Sequence, residues 1–202
     1  MKISHLLAAA VLASTSLTSA AANLVVNGSF EQPLQDPGTW GIYANIPGWI
    51  GEDDIEIRNN YDGIAKDGVN FVELDTFDNG SMSQTIFASG RVRLSFWYSP
   101  RGINVVPVGS NTLAFSLGDL SGVLLADAPG LSEHDWQEFV GIADLGSSGS
   151  AVLRFTAQGI SDQFGGSLDN VTVTAVPLPG ALLMLGAALG CVGIGARRTS
   201  PL

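Results

Sequence analysis

Arg91-Val92-Arg93-Leu94-Ser95-Phe96-Trp97-Tyr98-Ser99 puts Val92, Leu94, Phe96 and Tyr98 on one side and Arg91, Arg93, Ser95, Trp97 and Ser99 on the other. A strict period of two with one apolar face is the pattern of a strand half-buried against a core. The same alternation recurs in Leu113, Phe115 and Leu117, and in Ala151, Leu153 and Phe155 set against Val152 and Arg154. Shorter apolar runs at 24–26, 70–74, 83–87, 137–142 and 168–173 are bounded by Gly, Asn, Asp, Ser and Pro. With almost no helical periodicity between them, these runs predict an all-β domain, a jelly-roll β-sandwich of two antiparallel layers.

The two ends of the chain follow other rules. Lys2, an apolar run over 6–13 and the small residues Ala20-Ala21-Ala22 form a secretory signal peptide over 1–22, with cleavage after Ala22 leaving Asn23 at the mature end. At the far end, Val176-Pro177-Leu178-Pro179-Gly180 precedes an uncharged stretch that runs to Ala196 and is closed by Arg197-Arg198. A transmembrane helix over about 178–196 would span roughly 28 Å at ~1.5 Å per residue, just enough for a thin bilayer. A buried core helix is the alternative, but it would show one polar face, and this segment is apolar all round. The two arginines set its cytoplasmic end and leave the preceding domain outside. The chain therefore divides into a leader (1–22), a β-sandwich domain (23–175) and a C-terminal segment (176–202).

All 19 acidic residues lie in 23–175, whereas only Arg58, Lys66, Arg91, Arg93, Arg101 and Arg154 of the nine basic residues do. Such a surface disfavours nucleic acid and anionic lipid headgroups, and is compatible with divalent cations and neutral glycans. Acidity that only maintains solubility is the competing reading. Cys191, the one cysteine, falls in the C-terminal segment, so the domain has no disulfide and depends on its core or on a metal. His134 is the domain's sole histidine, which removes multi-histidine metal sites and disfavours a histidine-dependent hydrolase.

The C-terminal segment, with its prolines, apolar block and arginines, resembles a PEP-CTERM sorting signal, with Leu178 standing where the usual glutamate would be. That resemblance implies an exosortase-type membrane processing enzyme as partner. The body resembles the galactose-binding-like jelly rolls of secreted carbohydrate-binding modules. The matching residues, in order, are Asn23-Leu24-Val25-Val26-Asn27-Gly28-Ser29-Phe30-Glu31, Pro47-Gly48-Trp49, Asp67-Gly68-Val69-Asn70-Phe71-Val72-Glu73-Leu74, Ser83-Gln84-Thr85-Ile86, Leu94-Ser95-Phe96 and Gly165-Gly166-Ser167-Leu168-Asp169-Asn170-Val171-Thr172-Val173. It implies that the first and last strands lie side by side, with one structural calcium ion held between Glu31 and Asp169. Turn capping by the same two carboxylates is the alternative. The acidic stretch Glu52-Asp53-Asp54-Ile55-Glu56 reads as a solvated loop rather than a metal site.

For sugar binding the candidates are Trp40, Tyr43 and Tyr61, in Gly- and Asn-rich segments read as loops, and Trp97, opposite the Phe96 face. Ring faces stack on the apolar faces of sugars while amides and carboxylates take the hydroxyls. Burial in the core is the competing role for each. Trp49 and Trp136 read as core anchors. No nucleophile elbow, zinc helix or phosphate loop is present, and Gly146-Ser147-Ser148-Gly149-Ser150 is a flexible turn. The expectation is an exported cell-surface or matrix protein, not an enzyme, whose domain binds extracellular polysaccharide. The runners-up are a structural matrix protein without a sugar site and a glycan hydrolase.

Overall fold

A computed structural model describes residues 22–101, 107–125 and 134–176. Residues 1–21 of the signal peptide expected over 1–22, the transmembrane helix about 178–196 and Pro177 to Arg198 of the sorting signal lie outside the described residues. Ten strands follow in order: β1 (Trp40–Ile46), β2 (Trp49–Asn59), β3 (Asn70–Glu73), β4 (Ser81–Ile86), β5 (Arg91–Ser99), β6 (Leu113–Leu117), β7 (Leu120–Leu124), β8 (Gln137–Asp144), β9 (Ala151–Ala157) and β10 (Ser167–Ala175). Among the described residues there is no helix, and none long and apolar enough to cross a membrane.

Hydrogen-bonded neighbours run β7-β6-β9-β4-β2-β3-β10-β5-β8, with β1 beside β2, and every pairing is antiparallel. Strand β2 belongs to both layers of the sandwich. Its first part pairs with β4 through Ile50, Gly51 and Glu52, and its last part pairs with β3 from Glu56 to Asn59. Between them Asp53 and Asp54 take φ of 63° and 68°, left-handed values that bend the strand. The acidic stretch is therefore the corner of the sandwich rather than a loop. Ile55 within it and Ile57 just after it are fully buried.

Val92, Leu94, Phe96 and Tyr98 all point into the core, as the alternation requires. Phe96 is the hub: its ring stands 5.2 Å from Phe115, 5.0 Å from Phe139 and 5.0 Å from Phe155. These contacts join β5 and β8 of one layer to β6 and β9 of the other. Trp49 anchors the far end against Phe155 and Phe30. Trp136, by contrast, is only partly buried and packs outside this core, edge-on to Phe71 and tilted against His134. At the chain's beginning Asn23 bridges Thr174, Leu24 N–H donates to the Val173 carbonyl (2.8 Å) and Val171 N–H donates to that of Gly28 (2.8 Å). The first segment thus runs along β10, although it forms an isolated bridge rather than a full strand.

Candidate functional site

The register of β1 on β2 decides which side chains share a face. Trp40 stands opposite Arg58 and Ile42 opposite Glu56, all turned away from the core, while Gly41 and Tyr43 stand opposite the core residues Ile57 and Ile55. Phe71 and Glu73 continue the outer face on β3, paired with Arg58 and Glu56. On this face Trp40, Ile42, Glu56, Arg58, Tyr61, Thr76, Phe77, Arg101 and Gln163 line an open cavity of about 200 Å³. Two of its aromatic members are accessible, Trp40 at 49% and Phe77 at 64% exposed, and Tyr61 is half-buried.

Beneath the aromatics lies a buried charge network. Arg58 donates through Nε to Glu56 Oε1 (2.5 Å) and through a terminal nitrogen to Glu73 Oε2 (2.6 Å), and its other nitrogen lies 3.5 Å from Asp62. Arg101 reaches the same Glu73 oxygen at 3.4 Å, Asp62 at 3.2 Å and the Gln163 carbonyl at 2.7 Å. Gly165 N–H donates to the remaining Glu73 oxygen (2.7 Å). Burial pushes the Glu73 carboxyl up to about 8, with Glu56 adding to the shift, against the attraction of Arg58 and Arg101. Three carboxylates facing two guanidiniums leave one negative charge in excess, which a proton on Glu73 removes.

Of the aromatic candidates, the structure brings Trp40 and Tyr61 into this cavity and places the other two elsewhere. Trp40 and Tyr43 belong to strand β1, not to loops, because Gly41 and Asn45 sit in its ladder. Tyr43 packs against the core from the opposite face. Trp97 lies on the outer face of β5 with the Lys66 ammonium 3.6 Å above its ring. The Glu56, Arg58, Glu73 and Arg101 floor was not foreseen. Its one sequence signal is the pair of opposite charges two residues apart in Ile55-Glu56-Ile57-Arg58, which period-two alternation places on a single face.

Glu31 and Asp169 hold one loop at two points. Glu31 Oε1 accepts from Val69 and Asn70 N–H, each at 2.9 Å, and Asp169 Oδ2 accepts from Lys66 and Asp67 N–H, each at 2.8 Å. Asn170 N–H donates to the other Asp169 oxygen. Burial pushes the Asp169 carboxyl up to about 7 in spite of these donors. Hard oxygens of this kind suit calcium, and Asn70 Oδ1, buried at the start of β3, has no hydrogen-bond partner. Among the described residues no three Asp, Glu, His or Cys side chains converge as ligands, so a cation there would draw further oxygens from carbonyls or water. Nearby, His134 bonds to the Ile64 carbonyl (3.1 Å) and Ser167 Oγ (2.8 Å) under the Phe71 ring, and burial holds its pKa below the ordinary value.

No protein-family model and no curated protein matches the chain. Among solved structures it is similar to TmCBM61 in complex with β-1,4-galactotriose, at 16% identity and a TM-score of 0.49, covering 77% of this chain and 100% of that one. It is similar to "Family 16 Carbohydrate Binding Module-2" at 13% identity and 0.47, covering 76% and 100%. A family 35 carbohydrate binding module from Clostridium thermocellum aligns at 17% and 0.43, covering 68% and 99%.

Proposed function

We propose that the chain is an exported cell-surface or matrix protein whose sandwich binds polysaccharide without cleaving it, through the cavity between Trp40 and Tyr61. The carrying observation is the cavity itself: accessible rings flank a floor of guanidinium, carboxylate, amide and hydroxyl groups, the chemistry that stacks and hydrogen-bonds a sugar. At about 200 Å³ it is smaller than the roughly 300–1,000 Å³ of sites that engulf a ligand, which suits gripping one or two units of a longer chain. Glu56 is held by Arg58, and Glu73 lies buried behind it, not among the residues lining the cavity, so the two do not face a substrate across a cleft as a glycosidase pair must.

In this reading Val176, Pro177, Leu178, Pro179, Gly180, Arg197 and Arg198 form the sorting signal that an exosortase-type enzyme processes at the membrane. One calcium ion joins Glu31 and Asp169 and supplies the charge neutralisation that the buried Asp169 lacks. A glycan array probed with the full chain, with and without calcium, tests the binding. Selective binding supports the module, and silence favours a structural matrix protein. Turnover of a bound sugar would make the protein a hydrolase. Deleting residue 176 onward should release the protein into the medium, and a truncated protein still held at the membrane would contradict the sorting role.

A further inference from the structure

Asp75 lies just beyond β3, fully buried at 0% exposure, and one of its oxygens is crowded with donors while the other has none. Its Oδ2 accepts from the backbone N–H groups of Asp162 (3.1 Å), Gln163 (3.0 Å) and Phe164 (3.3 Å), whereas Oδ1 has no hydrogen-bond partner. Asn79 bridges Asp75 in antiparallel register, so the two side chains stand on the same side of the turn. Asn79 also carries an orphan. Its Nδ2 donates to the Gly159 carbonyl (2.7 Å) and its N–H to Ser161 Oγ (3.2 Å), while its buried Oδ1 is unpartnered. Both side chains therefore reach the 159–164 loop and both present an unmatched acceptor oxygen.

The surroundings add negative charge, and the cation that touches this loop, Arg101 on the Gln163 carbonyl, is paired with Glu73 and Asp62 rather than with Asp75. Asp162 accepts from Ser110 Oγ (2.7 Å) and Phe164 N–H (3.2 Å), and Asp78 accepts from Ser161 Oγ (3.4 Å). None of the ion pairs among the described residues involves Asp75, Asp78 or Asp162. A buried acceptor without a donor carries a large desolvation cost, and a buried carboxylate without a cation a larger one. A single hard cation relieves both.

We propose that Asp75 Oδ1 and Asn79 Oδ1 hold a divalent cation of calcium type, completed by backbone carbonyls or water, which pins the 75–80 turn to the 159–164 loop. Calcium fits better than magnesium because it accepts mixed carboxylate, amide and carbonyl oxygens in irregular geometry. These two segments carry Thr76, Phe77 and Gln163, which form one wall of the cavity, so the cation would fix that wall. The site is separate from Glu31 and Asp169 and does not depend on what the cavity binds.

The test uses the full chain, stripped with chelator and titrated with calcium chloride by calorimetry, with thermal unfolding alongside, as wild type, Asp75→Asn, Asn79→Ala and Asp169→Asn. In Asp75→Asn the amide oxygen can still take the three N–H bonds, and its NH2 can donate toward Asn79 Oδ1. The variant should therefore melt in chelator at or above the wild-type temperature, yet lose the calcium-induced rise and the calorimetric signal of this site. Asn79→Ala should lose the same signal and carries the comparison if Asp75→Asn does not fold. Asp169→Asn should keep it. Wild-type protein that takes up no calcium at millimolar concentration, or Asp75→Asn and Asn79→Ala proteins that titrate like wild type, would overturn the proposal and leave a bridging water in the cation's place.

Discussion

Replacing Glu73 with Gln should change the pH dependence of stability more than the stability itself. In the folded protein burial raises this carboxyl to about 8, against 4.5 for the free group. Between those values the folded state holds a proton that the unfolded state has released, so folding takes up a proton and stability falls as pH rises. The wild-type contribution is fully present below about pH 4.5 and is lost by about pH 8. At ~1.36 kcal/mol per pKa unit the whole change is about 5 kcal/mol, with no discount for solvent because Glu73 is 1% exposed. Glutamine resembles the protonated acid in shape and keeps an acceptor for Arg58 and Arg101, so at pH 5 the two proteins should differ by about 1 kcal/mol. From pH 5 to 8 the difference should move in the variant's favour by about 3–4 kcal/mol, the part of the whole change that falls in that window. Urea unfolding of both proteins across that range measures it, and the subtraction cancels Asp169 and His134. A difference that stays flat with pH, or moves toward the wild type, would refute the protonated Glu73 and the excess of negative charge that explains it.

Phe96→Ala should cost about 3–5 kcal/mol in denaturant unfolding, since it empties the contact joining both layers. Gly28→Ala should destabilise by about 1–3 kcal/mol and increase hydrogen exchange at Val171, because an added Cβ would meet the Val171 carbonyl oxygen, a backbone atom that cannot rotate away. If Glu31 and Asp169 hold calcium, chelator should lower the melting temperature at pH 7. Under chelator Asp169 should lose its stabilising proton as pH rises from about 4 toward 7. Asp169→Asn should abolish that pH slope, and a slope retained in the variant would assign it to another group.

The strands most legible in sequence were those with one face in the core. Val92 to Tyr98, Leu113 to Leu117 and Leu153 to Ala157 bury every second residue, so composition reports the register directly. Strand β2 escaped because its outer side chains are charged yet buried: Glu56 and Arg58 are 6% and 3% exposed, and their partners Glu73 and Arg101 come from segments far along the chain. Long-range charge pairing left only the short alternation Ile55-Glu56-Ile57-Arg58 as a local signal. Strand β7 escaped because it is short and half exposed. Trp40 and Tyr61 could be singled out as aromatics in polar surroundings. Their convergence on one cavity could not, because it depends on the register of β1 against β2.

The central claim is that the cavity between Trp40 and Tyr61 grips a sugar chain, and calorimetric titration of the glycan selected on the array into the full-length wild type, Trp40→Ala and Tyr61→Ala tests it most directly. Trp40 is half exposed and outside the core, so its removal should leave the melting temperature nearly unchanged. Loss of one stacking ring should weaken binding roughly tenfold or more, the ~1.4 kcal/mol or greater expected of an aromatic contact point. Glycan binding of unchanged affinity in both folded variants would place the sugar elsewhere on the sandwich and contradict the account.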